Sequence, residues 1–175
     1  MTAKVLIIMG SDSDLPIMQP AMDFLDSQSI EYSVHISSAH RLPEKTAALA
    51  ADAEKNGFQV IIAAAGGAAH LGGVIAAMTV LPVIGVPIKT ETLLGVDSLY
   101  SMVQMPSGIP VATVSINGAK NAAILAMQIL AVSDNNVREQ IRAYKKQLAE
   151  QVESKDARLQ AALAKQPEKE PSYFL

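Results

Sequence analysis

Short unbroken apolar runs alternate along this chain with longer stretches in which apolar residues recur every three or four positions. "KVLIIM" (Lys4 to Met9) is apolar and rich in β-branched residues, and it ends at Gly10. Such a run suits a strand buried on both faces of a parallel sheet. "GSDSD" then makes a turn, and Asp14 is expected to cap a helix over Leu15 to Gln28, with Pro16 in its first turn. Met18, Ala21, Met22 and Leu25 follow the i, i+3, i+4, i+7 spacing of one buried helix face. "EYSVHIS" (Glu31 to Ser37) alternates, placing Tyr32, Val34 and Ile36 on one side of a second strand. Pro43 to Asn56 predicts a second helix, stopped at Gly57. "QVIIAAA" predicts strand three, and "GGAAHLGG" a loop before a short helix over Val74 to Thr79. "PVIGV" predicts strand four, followed by a helix over Asp97 to Met105. "VATVSI" predicts strand five, and Ala119 to Val132 another helix.

Five strand–helix alternations imply an α/β fold: a five-stranded parallel sheet, right-handed crossovers and helices on both faces. Ligands of such sheets sit at the carboxyl ends of the strands. "GSDSD", "SSAHR" and "GGAAHLGG" follow strands one, two and three there, so they can converge on one crevice. The pattern changes beyond Ser133, where charges become frequent from Asp134 to Lys165. Val137, Ile141, Tyr144, Leu148 and Val152 step by four, three, four and four, a narrow stripe on a long helix. That stripe packs either on its own domain or on a neighbouring subunit. "QPEKEPSYFL" is expected to be a flexible tail. Residues 1–132 therefore form the expected catalytic domain, and 133–175 a helical extension and tail.

Composition narrows the functional classes. The net charge of −3 gives no basic footprint for nucleic acid or an anionic membrane. The chain has no cysteine, which excludes disulfides, zinc thiolates and a thiol nucleophile. The apolar run near the N-terminus is too short for a signal peptide, so a cytoplasmic protein is expected. Between Gly57 and Ala119 the only charged side chains are Lys89, Glu91 and Asp97, and Val60 to Ile88 has none. Glycines and prolines divide that window too finely for a membrane span. A core is the better reading, with part of the stretch buried against other subunits.

The candidate chemistry lies in the three loops. His40 is suited to proton transfer in both directions near neutral pH. Arg41 offers a planar fork of donors for phosphate or carboxylate, and Ser37 and Ser38 offer hydroxyls. Leu42 falls at the helix N-cap, where no side-chain oxygen is available, so the first amides are left for an anion or water. In "GSDSD", Ser11, Ser13 and backbone amides can hold a phosphate, which Asp12 and Asp14 would repel if they faced it. Two aspartates alone make a weak magnesium signal. The loop has neither a dinucleotide fingerprint nor a P-loop. Gly66, Gly67, Gly72 and Gly73 allow close backbone approach to a planar ligand, and His70 is a second proton-handling candidate. His35 lies mid-strand and reads as structural. From these residues alone the chain is an enzyme or binding module for a small phosphorylated ligand. A phosphoacceptor receiver would need an aspartate ending strand three, and a flavin carrier aromatic residues near the loops; neither is present.

"MGSDSDLPIM", "SSAHRLPEK", "AAAGGAAHLGGVIAAMT", "GVDSLYSMVQMPSGIPVATVSI" and "GAKNAAILAMQIL" together resemble the catalytic subunit of phosphoribosylaminoimidazole carboxylase, from about Lys4 to Val132. The bacterial branch of that family is 5-(carboxyamino)imidazole ribonucleotide mutase, of de novo purine synthesis. The resemblance implies a flavodoxin-like three-layer αβα sandwich, a homo-octamer with sites at subunit interfaces, and no metal or organic cofactor. It implies that His40 is the general acid/base and that Ser11, Ser13, Ser38 and Arg41 hold the phosphate. Asp14 would bind ribose hydroxyls, and Gly66, Gly67, Ala68 and His70 would surround the base and its carboxylate. A second branch carboxylates aminoimidazole ribonucleotide directly with CO₂; there a lysine follows the loop histidine and the Gly-Gly-Ala-Ala-His run is missing. Arg41 and "GGAAH" resemble the mutases. Leu42 stands where the family commonly has threonine, and Gly72 where it commonly has proline, which is expected to loosen the third loop.

Overall fold

The apolar runs become five parallel strands: β1 (Val5–Met9), β2 (Tyr32–Ile36), β3 (Val60–Gly66), β4 (Val83–Ile88) and β5 (Ala112–Thr113). Their order across the sheet is β2-β1-β3-β4-β5. The computed structural model describes residues 4–164. Six helices accompany the strands: α1 (Leu15–Ser27), α2 (Pro43–Ala51), α3 (Leu71–Met78), α4 (Val96–Val103), α5 (Ala119–Leu130) and α6 (Asn135–Leu163).

Alternation along the strands divides the core in two. Val5, Ile7, Met9, Val60, Ile62, Ala64, Ile84 and Val86 face α1 and α5, where Met18, Leu25, Ala122 and Met127 are fully buried. Leu6, Ile8, Ile61, Ala63 and Val83 face the other way, onto Ala50 of α2, Leu71 and Ile75 of α3, and Met102 of α4. Both faces of the sheet are thereby covered, as the alternation predicted, in the three-layer flavodoxin-like arrangement that the resemblance implied. Gly85 lies on the second face, where a Cβ would meet Val111 Cγ1 at 2.9 Å and Met102 Sδ at 3.0 Å.

Most boundaries fall within two residues of expectation, and the larger differences have packing reasons. Helix α2 stops at Ala51 rather than Asn56; turns then carry the buried Ala53 and the partly buried Phe58 onto the sheet, through Gly57 at φ +90°. Helix α3 starts at Leu71, not Val74, because Leu71 anchors in the core beside Ile75. Gly72 and Gly73 are consequently helical rather than loop residues, and the expected loosening of the third loop at Gly72 does not arise. Gly72 is buried, its missing Cβ filled to contact by Val111 (3.5 Å) and Ala63 (3.9 Å). Strand β5 keeps only two residues of "VATVSI", though Val114 N–H still reaches Gly85 O (3.0 Å) and Asn117 N–H reaches Pro87 O (2.8 Å). Asp14 ends a short 3₁₀ turn and stands at the N-cap position of α1, as expected, but its side chain makes no cap bond to that helix; the carboxylate turns back to Ser11 N–H.

The stripe on α6 is docked over its first half only. Val137 and Ile141 enter the first core, and Tyr144 meets Phe24 edge-on at 4.9 Å. Asp134 caps the helix and pairs with Lys4 at 2.8 Å, which lowers its pKa. Leu148, Val152, Leu159 and Leu163 are exposed. The expected tail, Gln166 to Leu175, lies outside the described residues.

Overpacking between β4 and α4 tests this arrangement. Gly85→Ala should destabilise the protein by about 1–3 kcal/mol, seen as a lower denaturant midpoint at unchanged slope.

Candidate active site

Parallel pairing sets the ends of β1 and β2 level, and β3 runs two residues further, to Gly66. Met9 lies opposite Ile36 on one side and Ala64 on the other. Gly10 N–H then donates to Ala64 O, and Ser37 N–H to Met9 O, both at 2.9 Å. The three following loops open side by side on a cleft of about 390 Å³. Its lining includes Ser11, Ser13 and Asp14 from the first loop, Ser38, His40 and Arg41 from the second, and Gly66 and Ala68 from the third.

The first loop is ordered by its own hydroxyls. Ser13 Oγ donates to Ser11 Oγ (2.9 Å), Ser11 Oγ to Asp12 Oδ1 (3.1 Å), and Ser13 N–H to the same carboxylate (3.0 Å). Asp14 is 6% exposed and accepts from Ser11 N–H at 3.2 Å. Burial is the main cause that raises its pKa above the ordinary 3.8, and the nearby Asp12 adds to it.

The second loop carries the charge. Arg41 Nη2 lies 3.4 Å from Gly10 O and its Nε 3.4 Å from Ser38 Oγ, so it bridges two loops. Among the described residues it forms no ion pair. Ser37 is not available to a ligand. It is fully buried, with its hydroxyl 2.8 Å from that of Thr46. The start of α2 is also less open than expected: Leu42 gives no side-chain cap, but its N–H donates to Ser38 O at 2.8 Å, and Pro43 has none to offer.

At the mouth of the cleft His40 Nε2 and His70 Nδ1 stand 3.0 Å apart, their rings nearly perpendicular at 88°. One imidazole donates and the other accepts, so a hydrogen bond joins the second loop to the third. His70 also faces an adjoining apolar groove with Gly73, Tyr100, Met105 and Ile109. Gly67 does not line the cleft. Of Gly66, Gly67, Gly72 and Gly73, it alone has a positive φ, at +68°. Its N–H donates to Ser98 Oγ at 2.9 Å and its carbonyl accepts from Ser101 Oγ at 3.3 Å. Sequence reasoning missed those two serines; the signal was their three-residue spacing on an otherwise apolar helix. Among the described residues no group of three or more His, Cys, Asp or Glu is placed to hold a metal ion, and no helix is long and apolar enough to cross a membrane.

Residues 4–151 match the family described as AIR carboxylase. The chain belongs to that family. The N5-carboxyaminoimidazole ribonucleotide mutase of Pyrococcus horikoshii is 56% identical over 154 residues, covering 88% of this chain and 87% of that protein. The enzyme of the same name from Thermotoga maritima is 53% identical over 157 residues, covering 90% and 92%. The crystal structure of Treponema denticola PurE superposes with a TM-score of 0.81 at 29% identity, covering 90% of this chain and 98% of that one. The AIR carboxylase match continues past Val132, where the recognised motifs end, into the docked half of α6 and as far as residue 151.

The buried carboxylate gives a test with a definite sign. A raised folded-state pKa means that ionising Asp14 opposes folding: its stabilising share is complete below 3.8 and is lost as pH rises through the folded value. Asp14→Asn keeps an acceptor for Ser11 N–H and removes that charge. We expect its melting temperature to exceed the wild type's by a few degrees at neutral pH, with the gain shrinking towards pH 3.8.

Proposed function

We propose that this chain is an N5-carboxyaminoimidazole ribonucleotide mutase, converting its substrate to 4-carboxy-5-aminoimidazole ribonucleotide by CO₂ transfer in purine synthesis. The observation that carries the proposal is one cleft that brings the Arg41 guanidinium and serine hydroxyls together with His40, whose ring is hydrogen-bonded to His70. The named mutases at over half identity across nearly the whole chain support it.

In this reading Ser11, Ser13, Ser38 and Arg41 bind the phosphate. Asp14, turned away from that charge, accepts from ribose hydroxyls. The backbone at Gly66 and Ala68 admits the flat base, and Gly67 shapes that loop from behind. His40 protonates the carbamate nitrogen as the N–C bond breaks, its electron pair passing to nitrogen and CO₂ leaving. C4 of the electron-rich ring then attacks CO₂, and His40 takes the C4 proton, restoring aromaticity. The proton that His40 gave up is replaced, so the reaction balances with no oxidant, reductant or activated co-substrate. His70 holds the His40 ring by its hydrogen bond and closes the base end of the site.

The same reading includes a homo-octamer in the cytoplasm. Met78, Val80, Leu93, Leu94, Val96, Tyr100 and Val103 are all exposed, at Val80 to 82%. They fall in the charge-poor stretch, and an apolar surface of that kind marks a protein–protein contact. A chain without cysteine also suits a reducing compartment.

Purified protein should isomerise the carbamate without ATP, metal or biotin. His40→Asn should lower turnover by at least about a thousandfold, while calorimetry still detects nucleotide binding. Efficient use of aminoimidazole ribonucleotide with bicarbonate, and not of the carbamate, would assign the direct carboxylase reaction instead. Light scattering should give a mass near eight times the 18.5 kDa chain, and a monomer would overturn the assembly.

A further inference from the structure

Helix α4 contributes no side chain to the cleft, yet it holds the loop that forms one wall. Ser98 is fully buried. Its hydroxyl donates to Ile88 O at 2.6 Å, at the end of β4, and accepts from Gly67 N–H at 2.9 Å. Both hydroxyl functions are thus used inside the protein, linking the last residue of β4 to the third loop. One turn on, Ser101 Oγ is shared between Asp97 O (2.8 Å) and Gly67 O (3.3 Å). The Gly67 peptide is therefore gripped at both polar ends, and no neighbour would obstruct a Cβ there within 4 Å. This glycine is required by its left-handed backbone, not by close packing.

Three residues beyond Gly67, His70 meets His40 at 3.0 Å. Helix α4 is itself pinned: Thr90 Oγ1 donates to Asp97 Oδ1 at 2.8 Å and accepts from Gly95 N–H at 3.2 Å. Hydrogen bonds run from β4 through Ser98 to Gly67, three residues of backbone lead on to His70, and its ring bonds that of His40. We propose that Ser98 and Ser101 are positioning residues, which clamp the Gly67 peptide so that His70 orients His40 for proton transfer. The proposal rests on the mutase reading for its chemistry, but its geometry does not.

Two readouts separate it from a purely structural role. In wild-type protein labelled at histidine ring carbons, Ser98→Ala should move the His40 and His70 signals and leave His35, in β2, in place. Ser101→Ala should do the same to a smaller extent, because Gly67 O keeps the Ala69 N–H at 2.8 Å. In turnover, Ser98→Ala should lower kcat about tenfold or more with KM within about twofold, since the phosphate groups sit on other loops. Met102→Ala, on the same helix but facing Gly85, should lower the melting temperature while leaving kcat within about twofold. Unmoved His40 and His70 signals in both serine variants would overturn the clamp, as would an equal loss of kcat in Met102→Ala. Ser101→Ala and the spectra keep the proposal testable if Ser98→Ala does not fold. Failure of the wild type to isomerise the carbamate would instead strike the mutase reading, leaving the spectra to judge the clamp.

Discussion

The site depends on a register. Val5 pairs with Tyr32 and with Val60, and the pairing runs without a slip to Met9, so β1 and β2 stop at one level and β3 two residues beyond, at Gly66. A shift of one residue in any of them would exchange its two faces, moving core side chains such as Ile7 or Ile62 to the wrong layer. Burial of both faces thus fixes where the loops begin. The catalytic crevice follows from packing on either side of the sheet and not from contacts among the loops themselves.

The loops must then satisfy their own polar groups where the sheet no longer does. Ser37 shows how the boundary is drawn: one residue beyond β2 its hydroxyl is turned inward to Thr46, and the next residue, Ser38, faces the cleft. Asp14 shows the opposing cost. Its carboxylate is nearly buried and has no cation beside it among the described residues, a state that opposes folding and that suits binding of hydroxyl donors. Among the described residues Arg41 is held by two long contacts, which leaves donors for an anion. The fold supports these groups in conditions that would not be chosen for stability alone.

Much of this was legible before any coordinates. Apolar runs and helical spacing located every strand and helix, and the turn residues after the first three strands marked the crevice. What escaped was set by tertiary packing. Nothing local says that Leu71 is buried, so α3 was expected three residues late and Gly72 was taken for a loop residue. "VATVSI" alternates well enough for a full strand, but at a sheet edge only Ala112 and Thr113 pair. Ser37 and Ser38 are indistinguishable in sequence, and only the direction of each side chain separates them. The His40–His70 contact joins residues thirty positions apart, and pattern alone does not encode such a distance.

The uncharged stretch from Val60 to Ile88, with the charge-poor α4 that follows, has more than one cause. Strands β3 and β4 need it because both faces are covered. Helix α4 divides it by periodicity: Ser98 and Met102 point inward, while Val96, Tyr100 and Val103 are exposed. The inward face grips Gly67 and the outward face offers apolar surface, on a helix of eight residues. Tyr100 and Val103 thus lie on the same helix as Ser98 but on its exposed side. The low charge of this stretch records a site and a surface built on one element, a stronger constraint than either core burial or subunit contact alone would impose.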